Sequence, residues 1–172
     1  KVKVDQNTSK ANGLDAGKKQ SLMHSNYEKL VNGVPTRAPI FLPTDKVSLN
    51  EKIIGMKRVK EIYDDRLDAV YRPKLKKLRS KYKDTNRCFI IGNGPSINKT
   101  DLSVLKDEVT FAVNGFFLKQ SELDWKPTFY VVEDHLVAED RQKWINQYKG
   151  PTKLFPAYLA YCLNEGDDTI FF

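Results

Sequence analysis

The stretch RCFIIGNGPSINKTDLSVL, residues 87–105, decides how the chain is read. Its apolar run, Cys88-Phe89-Ile90-Ile91, has the length and the β-branched and aromatic content of a strand. It stops at once on Gly92-Asn93-Gly94-Pro95-Ser96. Glycines at a strand's carboxyl end let backbone amides approach a ligand closely, Pro95 stiffens the turn, and Asn93 and Ser96 add a forked amide and a hydroxyl. Ligands of open α/β sheets collect at that end of the strands. The pattern is neither the G-x-G-x-x-G dinucleotide fingerprint nor a P-loop, which needs a Lys after its second Gly. A tight strand-to-helix turn with no ligand has the same spacing.

Downstream, VTFAV (109–113), TFYVV (128–132), TKLF (152–155) and TIFF (169–172) read as further strands. Between the third and fourth strands, HLVAEDRQKWINQYKG (135–150) places Leu136, Val137, Trp144, Ile145 and Tyr148 at helical spacing, and Gly150 ends the helix. Trp144 and Tyr148 are expected in the core, as is Cys88. This grammar predicts an α/β, Rossmann-like domain over residues 84–172: a mostly parallel sheet with flanking helices. DLSVL (101–105) is a short crossover consistent with parallel pairing of the first two strands. Asn114-Gly115 is also a favoured hairpin turn, which would make the next strand antiparallel.

Upstream, the texture differs. Residues 1–44 are rich in Lys, Asn, Gly and Ser and read as a linker or irregular extension. Residues 45–83 read as a basic helical arm. Ser48-Leu49-Asn50-Glu51 is a capping-box signature, and Ile53, Met56, Val59, Ile62, Tyr63, Leu67 and Val70 follow at helical spacing. Pro73 is expected to interrupt this helix and to open a second one, carrying Leu75, Leu78 and Tyr82 on one face.

The charge follows the same division. Residues 1–87 hold 21 basic and 10 acidic side chains and residues 88–172 hold 8 and 12, within a net +7. The densest basic run, Lys74 to Lys83, is a solvated face or a contact for an anionic membrane; no aromatic interleaving recommends nucleic acid. No apolar run approaches the roughly 20 residues that span a bilayer. Two cysteines without metal-ligand spacing suit a reducing, cytoplasmic setting with possible peripheral membrane contact. The chain opens on Lys1 and closes on an apolar run, so the expectation is a piece of a longer protein, incomplete at its C-terminus.

Two further strand ends carry polar groups. Asn114 and Gly115 follow the second strand, and Glu133, Asp134 and His135 follow the third. A parallel sheet brings all of these to the rim that holds Asn93, although Asn114 alone is an ordinary turn former and Asp134 an ordinary helix N-cap.

CFIIGNGPSI, TFAVNGFFL and TFYVVEDHLV together resemble a family of bacterial and archaeal glycosyltransferase-like domains. Its members include CMP-sialic acid sialyltransferases, flagellin-modifying motility-associated factors and an archaeal hydroxymethylpterin pyrophosphokinase. The resemblance covers residues 74–172. It implies that Gly92, Asn93, Gly94, Pro95 and Ser96 line a nucleotide's phosphate and ribose and that Asn114, with Gly115, meets the base or sugar. It further implies a CMP-linked acidic sugar as donor, a glycan or protein acceptor and no obligatory cofactor. The family's general base is a His in the C-terminal part of the domain; His135 is the candidate here. The paired acids Glu133 and Asp134 depart from the sialyltransferase pattern and suit Mg²⁺ on a diphosphate, as a pyrophosphokinase requires. A non-catalytic nucleotide-binding or membrane-docking module is the reading of another class.

Overall fold

A computed structural model describes residues 48–172. The expected linker, residues 1–44, and the first residues of the basic arm lie outside the described residues.

Five strands form one sheet in consecutive order, every neighbouring pair parallel: β1 (Phe89–Ile91), β2 (Thr110–Val113), β3 (Phe129–Val131), β4 (Thr152–Phe155) and β5 (Thr169–Phe171). The α/β, Rossmann-like reading is thus met, and the hairpin alternative at Asn114-Gly115 is excluded. Connections between β1, β2 and β3 are short 3₁₀ turns, including Ser103–Leu105 and Asn114–Leu118; β3 and β4 are joined through helix α3 (His135–Gln147).

The register sorts side chains onto two faces, because paired residues of a parallel ladder point the same way. Ile91, Ala112, Tyr130 and Lys153 share one face. Tyr148, just past α3, meets Tyr130 edge-on there, with ring centroids 5.1 Å apart. Phe111 and Phe129 share the other face and stack at 4.6 Å. The core contains more than hydrocarbon: Lys153 is buried and its ammonium lies 3.5 Å from Asp168. Burial lowers its pKa, and the Asp168 charge opposes that shift.

The N-terminal helical run is part of this fold. Helix α1 (Leu49–Glu61) starts at Ser48, whose hydroxyl accepts from the Glu51 N–H while the Glu51 carboxylate accepts from the Ser48 N–H, the reciprocal cap expected. Met56, Val59 and Ile62 are buried in the same core as the strands. Gly55 has a strict packing reason, since a Cβ there would lie 2.1 Å from the Tyr161 carbonyl oxygen.

Pro73 does not divide the run into two helices. The backbone continues from α1 through a π-helical segment (Ile62–Tyr71) into α2 (Arg72–Lys81). At the junction the Arg72 N–H reaches back five residues to the Leu67 carbonyl. Proline's ring clashes with a carbonyl one turn back in a tight α-helix, and the wider π spiral relieves that crowding without ending the helix.

Two further expectations fail. Cys88 is exposed, because β1 begins one residue later at the sheet's edge. On α3, Leu136 and Trp144 face solvent, with Arg141 over the Trp144 ring, while Ala138, Glu139 and Ile145 are buried. Glu139 can be buried because Tyr161 donates to it at 2.5 Å and the buried Lys52 ammonium lies 3.7 Å away.

Candidate functional site

The carboxyl ends of β1, β2 and β3 lie at one rim of the parallel sheet, and of the polar side chains expected there Asn114, Glu133, Asp134 and His135 share a cavity. A cavity of about 470 Å³ is lined by Val113, Asn114, Val131, Glu133, Asp134, His135 and Tyr158. Gly92, Gly94 and Ser96 line a separate, smaller cavity of about 250 Å³ beside β1, together with Ile97 and Thr100. Asn93 lines neither cavity; its Nδ2 donates to the Val113 carbonyl at 2.8 Å, one residue from Asn114. Pro95 begins the 3₁₀ turn Pro95–Lys99 and lines neither cavity, nor does Gly115.

Asn114 is the one non-glycine residue with positive φ among the described residues, at 48°. Asn tolerates that left-handed conformation because its short polar side chain can bond locally. Here the Asn114 carbonyl accepts from the Tyr130 hydroxyl, which anchors the bend to the core. Its half-buried side-chain amide has no protein partner among the described residues and lies on the cavity wall.

The glycines carry independent information. Gly94 has φ −63° and ψ 156°, which any residue adopts, and Gly92 and Gly115 are not in the left-handed region either. A Cβ would meet nothing within 4 Å at Gly92, only the Ser96 hydroxyl at 3.7 Å at Gly94, and only a Leu118 methyl at 3.9 Å at Gly115. Neither backbone strain nor internal packing therefore requires glycine at these positions. What the missing side chains provide is open space at the strand end.

At the third strand end, Asp134 is the N-cap of α3, accepting from the Leu136 N–H at 2.8 Å. The Glu133 carboxylate is exposed and unbonded among the described residues. His135 Nδ1 lies 4.0 Å from the Asp134 carboxylate, with the imidazole largely covered. Tyr158, from the turn after β4, donates its hydroxyl to the Glu133 carbonyl at 2.8 Å. Burial, reinforced by the Glu133 charge, raises its pKa, so the phenol is a donor at neutral pH. Tyr161 is not at the site; its hydroxyl is turned to Glu139 in the core. No Lys or Arg lines the larger cavity, and among the described residues no group of three or more His, Cys, Asp or Glu is arranged to hold a metal ion.

No family model, curated protein or solved structure matches the chain. Among the described residues no helix is long and apolar enough to cross a membrane.

Proposed function

We propose that this chain carries the nucleotide site of a glycosyltransferase that uses a nucleotide-activated, CMP-linked acidic sugar to modify a surface glycan or protein. The observation that carries the reading is the pairing of an unpartnered, half-buried Asn114 amide with glycine positions that fold and packing leave free, at neighbouring parallel strand ends. An amide fork suits a pyrimidine edge or a sugar hydroxyl, and bare backbone suits a phosphate. Transfer would be direct displacement at the anomeric carbon: the acceptor oxygen bonds to that carbon as its bond to the nucleotide phosphate breaks. His135 would take the acceptor's hydroxyl proton, and loop amides would stabilise the departing phosphate. Calorimetric titration with CMP in the absence of Mg²⁺ tests this; a chain that binds no cytidine nucleotide overturns it.

One observation favours a second reading, a Mg²⁺-dependent pyrophosphokinase of the hydroxymethylpterin type. With no cation on the larger cavity's wall and Glu133 free beside it, a diphosphate there would bring its own countercharge. Mg²⁺ commonly uses one or two carboxylates, several waters and the phosphates themselves. ATP or AMP binding that collapses on chelation, with CMP inert, would select it.

A further inference from the structure

Residues 72–83, RPKLKKLRSKYK, hold seven cations and no anion. Leu75, Leu78 and Tyr82 from this segment wall a groove of about 430 Å³ on the Phe111–Phe129 face of the sheet, with Leu154 also in its lining. The apolar floor runs on past the groove. Ile90 is the ladder partner of Phe111, so it shares that face, and it is 77% exposed. On the same segment Lys76, Lys77, Lys81 and Lys83 are exposed, Lys83 lying 4.0 Å from the Asp84 carboxylate. Arg79, exposed on the groove wall, has no carboxylate partner among the described residues, whereas Arg87 at the same end is neutralised by Glu108.

An apolar trough with a cationic rim matches an acyl chain below an anionic head. An acidic amphipathic helix would match the charge, but it is about 10 Å across, and this groove has the volume of a small-ligand site. We infer that this face docks on an anionic membrane, one phospholipid chain entering the groove and the headgroups meeting Arg79 and the lysines of α2. The groove itself lies at the strands' amino ends, away from the larger carboxyl-end cavity, whereas Ile90 also lines the smaller cavity beside β1.

Flotation of the full chain with vesicles is the test, comparing phosphatidylcholine alone with equal parts phosphatidylcholine and phosphatidylglycerol. The chain should float only with the anionic vesicles. Lys76→Gln with Arg79→Gln should weaken binding about 25-fold, at about fivefold per cation. Ile90→Ser should weaken it about tenfold while leaving the salt dependence intact. All three positions are exposed, so circular dichroism should show an unchanged fold. Equal flotation with neutral vesicles overturns the inference. So does an Ile90→Ser variant that binds as the parent does, which would mean adsorption by charge alone. Absence of flotation with either vesicle overturns it too and leaves the groove to a polypeptide partner.

Discussion

The Asn93 side chain donates to the Val113 carbonyl at 2.8 Å, so the loop after β1 is tied to the last residue of β2, directly before Asn114. The two asparagines are thus one structural unit with divided duties. Asn93 holds the loop in place, and Asn114 offers its amide to the cavity.

Asn114→Gly separates side chain from backbone. Glycine keeps the positive φ without strain, so the unfolding midpoint should hardly move. Loss of the amide should weaken nucleotide binding by about 5- to 150-fold, the equivalent of ~1–3 kcal/mol for a buried ligand group left unpaired. Asn93→Ala should cost stability as well, about 0.5–1.5 kcal/mol for the lost bond to Val113, and the two losses of affinity should be non-additive. Calorimetry on both single variants and the double variant decides this. Full affinity in Asn114→Gly would remove the β2 end from the site.

Gly94→Val should fold as well as the parent, because its backbone angles are open to every residue and a Cβ has room. Its unfolding midpoint should be unchanged or slightly higher, since the unfolded chain loses freedom. Nucleotide titration should nevertheless show binding abolished, as the branched side chain fills the space left at the strand end. Retained binding would mean that the space serves no ligand.

Gly55→Ala should behave oppositely. Its Cβ would overlap backbone atoms of Tyr161 at 2.1 to 2.6 Å, which no rotamer change relieves. Overpacking against backbone typically costs about 1–3 kcal/mol or more, measurable as a lower denaturant midpoint. A neutral substitution would mean that α1 can lift from the 157–161 turn freely.

Alkaline pH should unfold the chain earlier than its composition suggests. Burial pushes the Cys162 thiol up to about 12, with the Glu139 charge adding to the shift, and burial pushes the Tyr148 phenol up to about 12. Both acids keep their protons in the folded state where the unfolded chain releases them, so stability is complete below the unfolded pKa values and falls as pH rises towards 12. For Cys162 the loss amounts to about 2 kcal/mol between pH 9 and 10.5. Lys153 acts the other way: its lowered pKa means the unfolded state binds more protons, which raises stability across its own window. Cys162→Ala should flatten the alkaline limb of a stability–pH curve. In the native parent a thiol reagent should modify exposed Cys88 quickly and Cys162 only on unfolding.

The sheet was largely legible because each strand declares itself locally: short β-rich runs, punctuated by Gly, Pro and Asn, fall within a residue of β1 to β5. The Ser48–Glu51 cap was legible for the same reason. Periodicity gave less for α3, where it favoured Leu136 and Trp144 over Glu139. A carboxylate reads as outward-facing unless its partners are known, and Lys52 and Tyr161 lie on other elements. At the rim, Asn114 and the Glu133–His135 run fall at the ends of β2 and β3, where the strand assignments put them. The division into two cavities is a tertiary feature with no local signal, and Tyr158 reaches the rim from the turn after β4, which sequence alone does not place.

The consecutive strand order also bears on how the chain reaches this state. Each strand after β1 pairs with the strand just before it in sequence, so the loops to be closed are short and the sheet can grow outward in the order of synthesis. Helix α1 and the π-helical segment after it are exceptions, for the seat of α1 against Tyr161 and that of Tyr71 against Phe171 join segments about a hundred residues apart and exist only after β4 has been laid down. Docking of α1 therefore comes late, and a defect at Gly55 should appear chiefly as faster unfolding, leaving the folding rate nearly untouched.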